Sequence, residues 1–326
     1  MRLKKTFKWR WGVNRWWILA FTILTVIGVN IAAPVQQVIQ VAPEVLSKKP
    51  LFSLPVIGNV YLTNTLIAMV LMDLVILLVA LIVKNSVKPG VLIAKGFAGM
   101  MEMLIEMLYN LTESTAGKWA KKIFPWFATI MIIVLFANLL KLVPGFETIG
   151  FVEEVNHAGY TAKSLGGNWF NVTTPAVADG GSVIVPFARG LSTDLNFTAA
   201  LALISVLMTQ FIGVEAQGLG YFSKFFDTRT LFKKPFLGFM DLIVSLLETI
   251  SEFAKIISFT FRLFGNMFAG MVLMALVGVM VPVFMPSLIM MFELFIGVIQ
   301  AFVFGMLTLV FMAMATSSHS EEQAAS

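Results

Sequence analysis

The chain of 326 residues contains no cysteine, which removes disulfide frameworks and thiolate metal sites. It has two histidines, His157 in a polar loop and His319 in the C-terminal tail, and neither is placed to bind a metal inside an apolar span. Charge is also scarce: 13% of residues are charged against 58% hydrophobic, with a mean hydropathy of +0.88. Such a composition excludes a soluble domain and defines an integral membrane protein. The net charge of +5 follows loop topology and implies no nucleic-acid partner. An intramembrane hydrolase would need an activated nucleophile with a base. The sequence has no cysteine, no membrane histidine and no recognisable serine elbow, which disfavours that class.

What is present is a series of apolar runs. Residues 1–15 carry six Lys+Arg with Trp9 and Trp11 interleaved, and Trp17 to Ala33 is apolar. A cleaved signal peptide and a retained anchor compete here; Pro34 is a poor residue after a cleavage point, which favours the anchor. Residues 34–60 form a loop with four prolines. Tyr61 to Val83 is a span interrupted by Asp73, for which the sequence offers no account. Residues 91–122 place Lys95, Glu102, Glu106 and Glu113 on one face of an amphipathic surface helix. Phe124 to Val143 is a span ending near Asn138 and Lys141. A connection over 144–194 holds one expected short strand, Ser182 to Ala188. Leu195 to Gly218 is a span with Asp194 at its start. Phe236 to Val281 and Ser287 to Thr316 complete the set, and 317–326 is a polar tail.

Sidedness follows from counting. With the N-terminus inside and each run crossing once, inside segments 1–15, 84–122 and 219–235 hold 6, 6 and 4 Lys+Arg, and outside segments 34–60 and 144–194 hold two each. The bias predicts six crossings with both termini inside. The expected class is an all-α polytopic membrane protein of about six membrane helices plus one surface helix. Residues 1–60 form a tail, anchor and outer loop, and 61–326 the membrane domain.

The last two runs are unusual. Between 236 and 281 there is no proline, and 46 helical residues reach about 70 Å against a hydrocarbon core of about 30 Å. Both runs therefore tilt steeply or break, and the missing proline favours tilt. Relative to Glu248, a step of about 100° per residue puts Asp241, Glu252, Lys255, Arg262 and Asn266 at roughly +20°, +40°, −20°, −40° and 0°. Six polar residues share one edge of an otherwise apolar helix. Arg262 lies among Phe259, Phe261, Leu263 and Phe264, and its guanidinium stays protonated. Arginine at membrane depth faces a protein interior or a watery path. Glu248 and Glu252 lie about 21 and 15 Å away along the helix, out of its reach; Glu293 is a conceivable intrachain partner. Glu293 and Gln300, seven residues apart, share a face of the last helix. Plainer readings stand beside these. Glu252 and Lys255 suit an i,i+3 pair, Asp194 a helix N-cap, and Glu248 a solvated surface position.

The stretch Phe261-Arg-Leu-Phe-Gly-Asn-Met-Phe-Ala-Gly270 resembles the signature of subunit a (subunit 6) of F-type ATP synthases. Glu248 with Lys255 and Ser258, Thr193-Asp194-Leu195-Asn196-Phe-Thr198, and Gln300-Ala-Phe-Val-Phe304 resemble further motifs of that family in the same order, over roughly 61–316. The resemblance implies a non-catalytic stator subunit with two half-channels. Its partners would be a ring of c subunits, the peripheral stalk b subunits, other ATP synthase subunits and the lipid bilayer, with no cofactor. Arg262 matches the arginine that faces the ring carboxylates. Glu293, Gln300, Asn266 and Asp194 match or lie near outer half-channel positions, and Glu248 an inner one. In departure, Met271 stands where some relatives have an acid or histidine, Gly190-Leu-Ser192 where prolines are common, and Lys141 where an acid occurs. The competing class, a stand-alone ion-coupled secondary transporter, would carry internal repeats and broken helices, and no repeat is visible.

Overall fold

The fold is that of a computed structural model. It describes residues 41–317 except 48, 56–57, 87–95, 144–145, 155–158, 167–168, 178–179, 226–234 and 282–284, together with scattered helical residues between Trp16 and Ile27. The expected anchor over 17–33 lies largely outside the described residues, as do His157, His319 and the side chain of Asp241.

Six helices carry the described chain: α1 Asn64–Ser86, α2 Phe97–Ala116, α3 Ala120–Leu140, α4 Leu195–Gln217, α5 Pro235–Met280 and α6 Met285–Thr316. Among the described residues, five helical stretches are long and apolar enough to cross a membrane, and they correspond to the last five predicted crossings. The chain is a multi-pass membrane protein, mostly helical, as its composition requires. Boundaries follow local chemistry. Thr63 Oγ1 accepts from Leu66 N at 3.3 Å and caps α1. Gly117, at φ 51°, ends α2 in the left-handed region that favours glycine, and a 3₁₀ turn then leads into α3. The amphipathic stretch is therefore a separate helix, with Met100, Met103 and Met107 exposed on it.

Helices α5 and α6, of 46 and 32 residues, are unbroken. Pro286 sits in the first turn of α6, where a missing N–H costs nothing. At 1.5 Å per residue they reach about 69 and 48 Å, so neither fits upright in a hydrocarbon layer of about 30 Å.

The connection before α4 differs from expectation. Ahead of α1, β1 (Phe52–Leu54) and β2 (Gly58–Val60) pair antiparallel; the connection before α4 folds as β3 Gly150–Glu154, β4 Gly159–Gly166, β5 Trp169–Val177 and β6 Ser182–Pro186, in the order β3-β6-β4-β5. The single strand predicted over 182–188 is β6, ending at Pro186. The missed strands β4 and β5 pair antiparallel, Ala162 with Val172 and Lys163 with Asn171. Their aromatic and β-branched content, divided by Gly167-Asn168, is a hairpin signal.

The chain divides into two compact units. One contains Ile149–Val185 and Ala269–Glu293; the other contains Val41–Thr148, Pro186–Phe268 and Leu294–Ser326. In the second unit a core joins Ile130 and Val134 of α3, Leu201 and Ala202 of α4, Phe259, Leu263 and Met267 of α5, and Ala301 and Phe304 of α6. Another joins Leu108, Phe127, Met131, Ile212, Leu309 and Met312. Lipid tails are as apolar as leucine, so close backbone approach at small residues has to supply much of the cohesion. Gly305 shows it: a Cβ there would lie 2.9 Å from Met131 Cβ and 3.1 Å from Phe127 Cε2. Gly305→Val is expected to destabilise the α3–α6 contact by about 1–3 kcal/mol, read as a lowered midpoint in thermal unfolding of the detergent-solubilised chain.

Candidate ion-translocation site

Most of the polar edge predicted on α5 is present, with its members in different settings. Arg262 is half-buried and bonds Ser258 Oγ, one turn back, at 3.4 Å. No ion pair among the described residues includes it. One turn on, Asn266 Nδ2 donates to Gln300 Oε1 of α6 at 2.7 Å. Gln300 is buried, and its Nε2 has no partner among the described residues. The sequence-predicted residues Asn266 and Gln300 are thus brought together.

Helix α3 supports them. Asn138 Nδ2 donates to the Gly297 carbonyl at 3.0 Å, leaving its buried Oδ1 without a partner among the described residues. Gly297 permits this approach, since a Cβ there would lie 3.1 Å from Asn138 Cβ. Lys141 points its Nζ at the Met267 carbonyl, 3.5 Å away. Asn138 and Lys141 were visible as polar residues near a span end but carried no assigned role.

Glu293 is buried, 8% exposed. In its unit the carboxyl rests against Gly270, where a Cβ would collide with Oε1 and lie 3.2 Å from Cδ. That seat has no sequence signal beyond a glycine eight residues after Arg262. Asp194 caps α4: its Oδ1 accepts from Asn196 N at 2.9 Å, in keeping with the plainer reading of that residue.

Glu252 pairs with Lys255 as the spacing suggested, Nζ to Oε1 at 2.8 Å, yet it is buried and joined to a network that sequence reasoning missed. Gln210 Nε2 of α4 donates to Glu252 Oε2 at 2.9 Å, and Tyr221 OH donates to Gln210 Oε1 at 2.8 Å. Lys255 Nζ also lies 4.6 Å from the centre of the Phe311 ring, a cation–π distance. Gln210 could have been noticed as a lone amide in an apolar span. Tyr221 is 2% exposed. Burial, then the nearby charges of Glu252 and Glu248, push its phenol up to about 12, so it stays a hydrogen-bond donor at neutral pH. Half-buried Glu248 is thereby placed near this network. Among the described residues no cluster of His, Cys, Asp and Glu is arranged to hold a metal.

A cation in no ion pair among the described residues, interhelical amides and a buried acid on long membrane helices suit ion movement. Residues 65–313 match the model of the ATP synthase A chain family. The chain belongs to that family. It is 28% identical to ATP synthase subunit a of Moorella thermoacetica over 228 residues, 70% of this chain and 80% of that protein. It is 29% identical to the sodium ion specific subunit a of Propionigenium modestum over 273 residues, 83% and 80% of the two chains. For subunit a of a Sulfurihydrogenibium species the figures are 28% over 257 residues, 77% and 98%. Membership makes this chain a membrane subunit of the F-type ATP synthase complex, in the ion-conducting stator.

Two outcomes follow. Gly270→Ala should displace the Glu293 carboxyl and lower ATP-driven ion pumping by the assembled complex, whereas Gly278→Ala, whose Cβ would meet Pro286 Cγ only at 3.9 Å, should not. The second concerns Tyr221, whose native phenol titrates above its unfolded value of 10.0. Between about pH 10 and 12 the unfolded state binds fewer protons, so stability falls as pH rises and is unaffected below about 10. Tyr221→Phe should remove that loss, up to roughly 2–3 kcal/mol, in alkaline thermal-unfolding curves.

Proposed function

We propose that this chain is the non-catalytic subunit that converts ion flow into rotation of a ring of c subunits, with Arg262 facing the ring carboxylates. The observation that supports it most is the Arg262 guanidinium on an apolar helix, in no ion pair among the described residues. A fixed cation favours the ionised form of a carboxylate brought beside it. An ion arriving by the outer half-channel neutralises a ring carboxylate, which then moves into lipid. As the next loaded carboxylate returns, Arg262 drives its ion off to the inner half-channel. The same charge blocks direct leakage between the two. Each elementary charge crossing 100 mV gains about 2.3 kcal/mol, and the tilt of α5 and α6 turns that into torque.

In this reading Asn266, Gln300 and Glu293, with Asp194 at the mouth, belong to the outer half-channel and Glu248 to the inner one. The peripheral stalk b subunits and other synthase subunits hold the chain still. Both termini face the cytoplasm of a bacterial plasma or inner membrane, as the basic loops suggest. One relative is sodium ion specific, so family membership leaves open which ion this chain conducts. A stand-alone secondary transporter fits less well: such folds put broken helices at a midplane site, and α5 and α6 run unbroken.

Arg262→Ala, in membrane vesicles carrying the whole complex, is expected to abolish ATP-driven pumping while nucleotide hydrolysis continues. Pumping at the wild-type rate would overturn the assignment.

A further inference from the structure

Three of the charges on α5 are evenly spaced. Glu248, Lys255 and Arg262 follow one another at seven-residue steps, two turns or about 10 Å apart, and drift only about 20° around the helix at each step. Lys255 therefore stands midway between the acid assigned above to the inner half-channel and the cation assigned to the ring. An ion moving between those two levels passes the level of Lys255. A lysine that projected its charge there would repel the ion, because away from bulk water a unit charge is felt over about 10 Å.

The charge is drawn aside instead. Glu252, at another angle on the same helix, takes Lys255 Nζ on Oε1 at 2.8 Å, and the two side chains are only 10% and 22% exposed. The pair is held from two other helices. Gln210 Nε2 of α4 donates to Glu252 Oε2 at 2.9 Å, and the Phe311 ring of α6 lies 4.6 Å from Lys255 Nζ. Tyr221 OH fixes Gln210 by donating to its Oε1 at 2.8 Å. The Tyr221 ring is itself seated where α4 lacks a side chain, since a Cβ on Gly213 would collide with it. Gly218, at φ 65°, turns the chain back to bring it there. The pair is thus faced by Gln210 and Tyr221, by Phe311 and, along α5, by Glu248.

Stability does not call for two charges here. Apolar residues of similar volume often match or better an ion pair taken out of water, and an amide at position 252 could hold Gln210 equally well. Resting on the reading given above, we infer that Glu252 is a charge mask: it cancels Lys255 and keeps its head against α4 and α6, so that the edge between Glu248 and Arg262 presents no second positive charge to the passing ion. Glu252 is a positioning residue, touching neither the ring nor the ion.

The test is ATP-driven pumping by the whole complex in inverted vesicles, whose inner face meets the medium, over a series of medium pH or of sodium concentration. Glu252→Gln keeps the shape and the bond to Gln210 but unmasks Lys255. It is expected to raise the ion concentration for half-maximal pumping about tenfold, one unit on the pH series, with little change in the maximal rate. Glu252→Gln combined with Lys255→Gln should return it to the unmutated value. Lys255→Gln alone, which leaves the carboxylate uncancelled, should move it the opposite way and serves where Glu252→Gln does not assemble. A lower maximal rate at unchanged half-saturation, or a shift that persists in the double variant, overturns the mask and leaves the pair a structural tie. Absence of pumping in the unmutated complex would instead overturn the function on which the inference rests.

Discussion

A guanidinium that cannot lose its proton is held on a helix whose neighbouring side chains are phenylalanine and leucine. The described residues do little to neutralise it. Ser258 offers one long hydrogen bond, and Asn266, one turn on, is committed to Gln300. Burying a charge without compensation costs several kcal/mol, so the arrangement is tolerable only beside water or a counter-charge on another polypeptide. The exposed apolar side chains of α5 near Arg262, among them Ile257 and Phe261, suit a protein or lipid neighbour.

Such a cation is useful only if its position is fixed. A helix of 46 residues held at one point would pivot; α5 is tied at two levels. At Asn266 it bonds α6. Ten residues before Arg262, Glu252 ties it to α4 through Gln210 and, through Lys255, brings it against Phe311 of α6. The donor logic admits one arrangement. A carboxylate paired with lysine only accepts, so Gln210 turns its NH₂ to Glu252 and its oxygen to Tyr221, whose phenol must donate. The raised phenol titration keeps that proton in place. Such a network adds little net energy over an apolar core but selects one register of α4 against α5, and it sets the height at which Arg262 stands.

How much could be read beforehand differs by residue. The spans are legible because crossing a membrane demands an apolar length, and α5 because an uninterrupted helical period shows its polar edge. The Glu252–Lys255 pair is likewise local, three residues apart. Gln210 and Tyr221 escaped because their bonds join elements 42 and 11 residues apart, and no periodicity encodes a tertiary contact. The seat of Glu293 on Gly270 is of the same kind: a glycine in an apolar helix reads as lost propensity until its neighbour is known. The strands of the connection before α4 were passed over for another reason. Scattered Gly, Thr and Pro look like loop, and the alternation of β4 and β5 shows only when their pairing is considered.

Glycine also explains why polar groups can converge in a chain with so few of them. In lipid a buried amide finds no water, and its partner must come from a facing helix. A side chain as short as asparagine reaches a backbone carbonyl across the gap only if the two axes lie unusually close. Gly297 brings this about for Asn138, and Gly305, two turns further along α6, keeps α3 equally close where the contact becomes wholly apolar at Phe127 and Met131. One seam therefore changes from polar to apolar along its length without a change in separation. The polar end lies beside Gln300 and the apolar end seals the helices beyond it. The outer half-channel proposed above would end where this seam turns apolar, at a point set by two residues without side chains on one helix.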